Sequence, residues 1–329
     1  MIPLLLVNGC QGIGTGWSTF IPQHSPVDVL NYIRAKLDGK KKLPAINPWV
    51  KGFEGTVAFD AKTGSYTSEG VFAVTSKSSV SITELPIGVW TNDYKNTLIS
   101  MMKKGEIMSF TENHTTTSVS FDVKLNMSKL QRFLKGDFHS KFKLRNNLST
   151  RNMHAFTTKS KIARYTKPQE IADVFFPIRL ALYADRKSVL ESNMEHSATL
   201  LRSKARFIKA VAANDIDLLH GQKSKEATNA MLEDMDFSKS SELSAIKRNN
   251  TVAKRRSVFD SSTDVLMTEE DRAKEYDYLL SMPLSSLTSE KISALNEEAS
   301  NTETKLANIK NTTASDLWRE DLEKLEPHL

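Results

Sequence analysis

Residues 7–18 read VNGCQGIGTGWS, a glycine-rich run that directly follows the apolar segment MIPLLL at residues 1–6. Its glycines match neither the G-x-G-x-x-G pattern of dinucleotide sites nor the G-x-x-x-x-G-K-[ST] pattern of phosphate loops. Glycine adopts positive φ angles at little cost and allows close approach of the backbone. The run therefore predicts a tight structural turn, built on Gly9, Gly12, Gly14 and Gly16, instead of a nucleotide site.

The segments on either side of this run predict a mixed α and β structure. Residues 1–7 are apolar and indicate a buried strand, because a membrane-spanning helix needs roughly 20 apolar residues. Ser25 and Pro26 form a helix start of the cap-and-proline type, and this helix is expected to end at Asp38-Gly39. No membrane-bound protein is predicted.

Residues 40–143 have the pattern of an α+β module. Short β-type runs, such as 70–74 and 79–82, are separated by turn residues, and one amphipathic helix is expected near 92–103. Between 171 and 211, apolar residues recur at three- and four-residue steps. This spacing predicts a long helix with one apolar stripe, which must pack against another helix.

The second half of the chain predicts an outgoing helix, a small globule and a returning helix. Pro177 predicts either a kink in the outgoing helix or its start, since proline removes a backbone donor. Residues 238–264 are rich in Ser, Lys and Arg and predict a flexible basic loop. An apolar cluster follows at 276–287, and residues 295–325 predict a charged amphipathic helix.

The composition limits the classes of protein. A chain of 329 residues is long enough for one or two domains of ordinary size. Its single cysteine, Cys10, excludes an internal disulfide and a multi-cysteine zinc site, and indicates a reducing compartment. The formal charge of +6 is weak evidence for nucleic-acid binding, because acidic residues are also plentiful.

Further motifs extend the pattern of residues 7–18 along the chain. They are Ile21-Pro22, FEGT at 53–56, ITELPIGVWT at 82–91, FKL at 142–144, KARFI at 204–208, YLLSMPL at 278–284 and SDLWREDL at 315–322. Together these motifs resemble, in the same order, the breakage-reunion core of eukaryotic type II DNA topoisomerases. The resemblance covers nearly the whole chain.

The resemblance implies an α+β fold, with a small mixed α/β tower module followed by a long antiparallel coiled coil and a small helical C-gate globule. Residues 1–40 would end the winged-helix DNA-binding domain, and residues 41–165 would form the tower. Residues 166–329 would form the coiled coil and the dimerising C-gate, with the flexible basic loop at 238–264. Expected partners are double-stranded DNA and either a second copy or an intact type II topoisomerase.

The resemblance also implies DNA-contacting residues. Ile21, backed by the rigid Pro22, occupies the position expected of an apolar wedge that enters the base stack and bends DNA. Basic and amide groups would bind phosphates without reading sequence, and Trp90 would contact DNA from the tower, although a core position is the alternative for this tryptophan. The remaining predicted DNA-binding residues are Lys143, Arg145, Asn146, Asn147 and Arg151.

The resemblance assigns the nucleophilic tyrosine, the magnesium site and the ATPase to segments that this sequence does not contain. The chain is therefore expected to bind and bend DNA without a cofactor of its own, as a non-catalytic truncated paralogue acting on chromatin. The alternatives are a fragment or incomplete gene model of an active ATP-dependent enzyme and, more remotely, a structural coiled-coil adaptor. Departures from the family pattern at Cys10, Gln11 and Pro177 leave the gate geometry open.

Several residues imitate an active site. Tyr165 follows Arg164, as in the family's catalytic pair, but it lies after the glycine run instead of before it. The acidic pairs at 215/217 and 234/236 imitate a magnesium site, although solvated acids are commoner and Mg²⁺ usually also needs substrate phosphates. No catalytic residue and no metal ligand is predicted.

Two basic clusters predict a nuclear protein, and the resemblance implies that it acts on chromatin in DNA topological change and chromosome segregation. Their spacing is that of a two-part import signal, against the simpler interpretation of a solvated basic surface. The clusters are Lys247-Arg248 and Lys254-Arg255-Arg256.

Overall fold

The computed structural model describes residues 1–60, 64–216, 224–250, 274–283 and 288–329. The chain divides into two compact units, Met1–Phe176 with Leu322–Leu329 and Pro177–Asp321. The mixed α/β fold with small antiparallel sheets and a long helix is as predicted. The finer division into 1–40, 41–165 and 166–329 stays a prediction.

The first unit opens with a short helix, α1 (Leu4–Asn8), so the predicted buried strand is wrong. Ile2, Pro3 and Leu6 are buried, whereas Leu4 is 63% exposed. Burial along the run therefore does not alternate as it would in a half-buried strand. Gly9 ends the helix with a φ of 66°.

Next come a hairpin and the predicted second helix. Strands β1 (Cys10–Gly14) and β2 (Trp17–Ile21) pair antiparallel, with Gly14 opposite Trp17. Helix α2 (Pro26–Leu37) begins where it was predicted, because the Ser25 side chain accepts a hydrogen bond from the Asp28 amide. Its buried face consists of Val29, Leu30, Tyr32, Ile33 and Ala35.

The segment predicted as the tower contains, in its described residues, two antiparallel sheets and three helices. The three-stranded sheet has the order β3 (Thr56–Asp60), β4 (Ser65–Glu69), β9 (Arg145–Leu148). The four-stranded sheet has the order β5 (Val71–Ser76), β6 (Ser79–Glu84), β8 (Phe121–Lys124), β7 (Ser109–Glu112). The helices are α3 (Thr91–Lys103), α4 (Met127–Lys135) and α5 (Phe138–Lys141).

A shared apolar core fixes the tower. Phe142 stacks on Phe138 with ring centroids 4.2 Å apart, and the Tyr94 hydroxyl donates a hydrogen bond to the Phe142 carbonyl over 3.0 Å. These contacts hold α3 and α5 against the four-stranded sheet. A second hairpin, β10 (Met153–Phe156) and β11 (Ile162–Tyr165), follows the tower.

The long helix of the sequence prediction is α6 (Pro168–Ala212). It runs through Pro177, so the helix does not start there. The returning segment is not one helix but two, α10 (Ser289–Asn311) and α11 (Ala314–Leu325). The break is a capping box, in which the side chains of Thr313 and Asp316 each accept a hydrogen bond from the backbone amide of the other residue.

The described residues of the second unit also form three short helices, α7 (Lys225–Asp234), α8 (Ser240–Arg248) and α9 (Asp277–Leu280). Residues 238–250, predicted as part of a flexible loop, therefore contain a helix, and residues 251–264 lie outside the described residues. Glu242 caps α8 by accepting a hydrogen bond from the Lys239 amide, and Glu275 binds the Ser241 amide. A small core combines Phe207, Ile216, Leu232, Phe237, Tyr276 and Leu279.

Candidate nucleic-acid interface

Most of the predicted DNA-contacting residues line two neighbouring grooves of the first unit. A groove of about 630 Å³, called here the Trp90 groove, is lined by Gly9, Ile21, Pro22, Trp90, Asn146 and Asn147 among others. A groove of about 520 Å³ is lined by Lys143 and Arg145 and shares the two asparagines. The fold thus brings together the glycine run and the 143–147 segment, which are far apart in sequence.

The glycine run forms a turn at two of its four glycines. Gly9 and Gly16 have φ angles of 66° and 81°, whereas Gly12 and Gly14 lie within β1 without a positive φ. A Cβ at Gly9 would lie 2.7 Å from the Ile21 carbonyl oxygen, so the close backbone approach is real at this position. The predicted tight turn therefore holds for Gly9 and Gly16 only.

Ile21 is in the core, 2% exposed, and Pro22 is also buried. The segment is held by His24, whose backbone amide donates to the Leu6 carbonyl and whose Nδ1 lies 3.2 Å from the same oxygen. Burial lowers the pKa of His24 to about 4, with the backbone hydrogen bond to Leu6 opposing the shift. A wedge must project from the surface, so this geometry argues against the wedge assignment of Ile21 and Pro22.

Ile13 has the exposure that Ile21 lacks. It lies one residue before the turn of the β1–β2 hairpin and is 89% exposed, while Trp17 on the opposite strand is 56% exposed. The sequence does contain a signal for this position: Ile13 is flanked by Gly12 and Gly14, which have no side chains to cover it. An apolar residue isolated among glycines at a turn is expected to project.

The second hairpin packs beside the first. The Phe20 amide donates to the Asn152 carbonyl over 2.9 Å, and the Thr19 hydroxyl donates to the His154 carbonyl over 2.8 Å. The ring of Trp17 meets that of His154 edge-on, with centroids 5.5 Å apart. These contacts fix the direction of the first hairpin relative to the second.

The two hairpins form one apolar surface with a basic edge. A groove of about 560 Å³ is lined by Ile13, Trp17, Phe156 and Ile162 among others. The last two are a cross-strand pair, 72% and 42% exposed. The turn that joins them carries two exposed lysines, Lys159 and Lys161. We call these four apolar residues and two lysines the hairpin tip.

Trp90 is 75% exposed at the start of α3, so it is not the core residue of the alternative interpretation. Its presentation depends on Asn146, whose side-chain amide donates to the Ile87 carbonyl over 2.7 Å. Gly88, with a φ of 84°, lies in the turn between Ile87 and Trp90. Asn146 therefore holds the turn that presents Trp90, and its donor already has a protein partner.

Arg145 is occupied by two carboxylates. Its guanidinium lies 2.6 Å from Glu69 and 2.6 Å from Asp137, and these hydrogen bonds raise its pKa. A phosphate would have to compete with both partners, so the geometry favours a structural role for Arg145 over the predicted phosphate contact. Lys143, with a φ of 51°, and Arg151 are exposed, and their predicted DNA contacts stay predictions.

Of the described residues that imitate an active site, none lines these grooves. Tyr165 is 7% exposed and pairs with Met153 in the second hairpin. Among the described residues, no group of three or more His, Cys, Asp or Glu side chains could hold a metal ion, and Asp217 is outside that part of the chain. The same part of the chain contains no helix long and apolar enough to cross a membrane.

Comparisons with known proteins identify the family. The family model for the A-type subunit of DNA gyrase/topoisomerase IV matches residues 1–323. DNA topoisomerase 2 of Arabidopsis thaliana is 35% identical over 346 residues, covering 100% of this chain and 23% of the relative. DNA topoisomerase 2 of Plasmodium falciparum is 33% identical, with 99% of this chain and 23% of the relative covered.

A solved structure gives the same result. The Plasmodium falciparum topoisomerase II DNA-binding, cleavage and re-ligation domain matches with a TM-score of 0.80 at 32% identity. The match covers 99% of this chain and 43% of that chain. The present chain thus spans about a quarter of the length of its curated relatives. It belongs to the type II DNA topoisomerase family.

Proposed function

We propose that this chain binds duplex DNA with the hairpin tip and the Trp90 groove, and bends it with Ile13 as the wedge. The observation that carries the proposal is the position of Ile13, almost fully exposed beside a hairpin turn. The matched Plasmodium structure is described as a DNA-binding, cleavage and re-ligation domain, which supports DNA as the ligand. The wedge moves from Ile21 to Ile13 because a buried side chain cannot enter a base stack.

The chemistry of the hairpin tip suits a bent duplex. An apolar side chain that enters a base step unstacks it at a cost of a few kcal/mol, which the wider contact with bent DNA offsets. Lys159 and Lys161, at the adjacent turn, would neutralise phosphates and hold the duplex in register without reading its sequence. Such binding is expected to be sensitive to salt and tolerant of sequence.

The test of DNA binding is a salt titration with matched variants. Changing Lys159 and Lys161 together to glutamine is expected to flatten the slope of log affinity against log salt by roughly two, or about one per phosphate contact. Arg145→Gln should change the slope little, because Glu69 and Asp137 already balance its charge. Affinity is measured by fluorescence anisotropy on a short duplex.

Equal slopes for the wild-type protein and the double lysine variant would remove the hairpin tip from the interface. A large change of this slope in the Arg145→Gln variant would restore the assignment of Arg145 to phosphate binding. Thermal unfolding of each variant separates lost contacts from lost folding, since Arg145 also links β4 to the α5 segment.

By itself this chain is proposed to bind and bend DNA without cleaving it. Tyr165, the tyrosine next to an arginine, has its ring buried in the second hairpin, which suits a structural role. The second candidate function is that of one part of a complete ATP-dependent topoisomerase, and the match to the Plasmodium DNA-binding, cleavage and re-ligation domain favours it. Cleavage of supercoiled DNA by the isolated chain with Mg²⁺ and ATP would overturn the non-catalytic proposal.

We expect a dimer that forms through the small apolar core of the second unit. The core around Phe207 and Tyr276 carries partly buried side chains, including Met231, Met235 and Leu280, which a two-fold contact would cover. Residues 218–223 and 284–287, also predicted for this contact, lie outside the described residues. Sedimentation that gives a monomer at tens of micromolar would contradict the dimer. Pairing with an intact type II topoisomerase would appear as a mixed dimer in the same measurement.

A nuclear location completes the proposal. Lys247 and Arg248 are exposed at the end of α8, whereas the second basic cluster, residues 254–256, is outside the described residues. Alanine at all five basic positions is expected to leave a tagged protein in the cytoplasm, because import receptors read such clusters as positive charge. Imaging that shows unchanged nuclear entry would contradict the signal. Roles on chromatin and in chromosome segregation rest on this location.

A further inference from the structure

A second exposed apolar surface lies on the tower, and none of its side chains lines the hairpin tip or the Trp90 groove. Met102, Met108, Met127 and Leu134 are 40%, 68%, 46% and 40% exposed. They come from the end of α3, the start of β7 and helix α4. Exposed methionines are frequent at protein-binding surfaces, because the flexible thioether side chain adapts to different partners.

Hydrogen bonds join the segments that carry these side chains. The Gly105 amide donates to the Met102 carbonyl over 2.9 Å, and the Lys129 ammonium donates to the Gly105 carbonyl. The Met108 amide donates to the Lys124 carbonyl over 2.8 Å. On α4, Met127 and Leu134 are seven residues apart and therefore lie on the same side of the helix. We call these four side chains, with the lysines around them, the methionine surface.

The segments around the methionine surface are basic. Five exposed lysines, called here the lysine rim, belong to these segments or contact them: Lys103, Lys104, Lys124, Lys129 and Lys141. The loop between α3 and β7 also contains one acidic residue, Glu106, whose carboxylate lies 2.6 Å from the Lys141 ammonium. This hydrogen bond, together with the charges of Lys141, Lys104 and Lys129, lowers the pKa of Glu106. The charge that remains on the rim is positive.

We propose that the methionine surface docks an acidic peptide segment that presents apolar side chains, such as an amphipathic helix of a partner protein. Its carboxylates would meet the lysine rim, and its apolar side would cover the methionines. This interaction is separate from DNA binding by the hairpin tip.

Charge and shape favour this occupant over the others. Duplex DNA would satisfy the lysines but would leave four apolar side chains against phosphates and water. A second copy of the same surface would place two lysine rims together, which like-charge repulsion opposes. A lipid surface is better met by one long amphipathic helix than by side chains from three separate elements.

The test uses a fluorescent helical peptide of Glu and Leu, about 15 residues long and so roughly four helical turns, with leucines at i, i+4 spacing. Saturable binding to the full chain is expected by anisotropy. Lys103→Glu with Lys104→Glu, and separately Met108→Ser with Met127→Ser, should each weaken binding by at least about tenfold. The charge-matched control, Lys41→Glu with Lys42→Glu, changes two lysines elsewhere and should leave the affinity within about twofold.

Three results would overturn the proposal. The first is equal weakening by the control pair, which would reduce the effect to net charge. The second is unchanged binding of a peptide whose leucines are replaced by serine. The third is loss of duplex or phosphatidylserine-vesicle binding, instead of peptide binding, in the Met108/Met127 variant, which would assign the surface to nucleic acid or lipid. All four substituted positions on the surface are exposed, and thermal unfolding of each variant checks the fold.

Discussion

Replacing Ile13 with alanine is expected to abolish most of the bend that this chain introduces into duplex DNA, while lowering overall affinity by less than about tenfold. The side chain is 89% exposed and makes little contribution to the core, so the variant should fold normally. Without the wedge, unstacking has no apolar partner to stabilise it, and the duplex returns to its straight form. Phosphate contacts from the lysine-bearing turn persist in the variant.

The bend is measured by energy transfer between dyes at the two ends of a short duplex. Ile162→Ala is the comparison variant, since it removes the same atoms from another residue of the hairpin tip, 42% exposed, and should lower affinity slightly but leave the bend in place. Ile21→Ala should behave differently from both, with a loss of roughly 2–5 kcal/mol in the free energy of unfolding, because the residue is buried. A bent complex with the Ile13 variant, or a stable Ile21 variant that leaves DNA straight, would return the wedge to Ile21.

Elements with local signals could be predicted from the sequence. Helix α2 begins at Pro26 because the Ser25 cap and the proline act within one turn, and both are visible in the sequence. Helix α3 and strand β6 also fall where their apolar patterns place them. In each case the determining interactions connect residues only a few positions apart.

The short elements needed long-range information. The apolar run at the start of the chain fits a strand or a helix by composition, and its helical form is fixed by burial of Leu6 and by the hydrogen bond from the distant His24 amide. Helix α8 lies in a Ser- and Lys-rich stretch, and Glu275, which is remote in sequence, binds its first turn. The helix and strand propensities of a short segment carry no information about these distant partners.

The same limit explains the candidate site. Both Ile13 and Ile21 are isoleucines near the glycine run, and sequence alone does not show which of them is exposed. The answer follows from the packing of β2 on β10, where Thr19 binds the carbonyl of His154, which is 135 residues away in sequence. Likewise, the partners of Arg145 on β4 and beside α5 are visible only in the folded tower.

Gly9→Ala is expected to be the most damaging single-methyl substitution in the glycine run, with a loss of roughly 2–4 kcal/mol in the free energy of unfolding. Gly9 has a φ of 66° and a ψ of 178°, a backbone conformation that is essentially restricted to glycine. In addition, the new Cβ would lie 2.7 Å from the Ile21 carbonyl oxygen and 3.1 Å from the Gln23 amide nitrogen. These are backbone atoms, so they cannot move aside as a flexible side chain would.

Gly16→Ala separates the two causes. Gly16 has a comparable positive φ of 81°, but a Cβ there meets nothing within 4 Å, so only the backbone strain of about 1 kcal/mol remains. Urea unfolding, monitored by tryptophan fluorescence, gives the free energy of unfolding of each variant. Equal losses in the two variants would show that the contact with Ile21 contributes nothing. Because the β1–β2 hairpin begins directly after Gly9, the displaced strand should also misdirect Ile13. DNA bending is therefore expected to fall in Gly9→Ala under conditions where the protein is still folded, and to persist in Gly16→Ala.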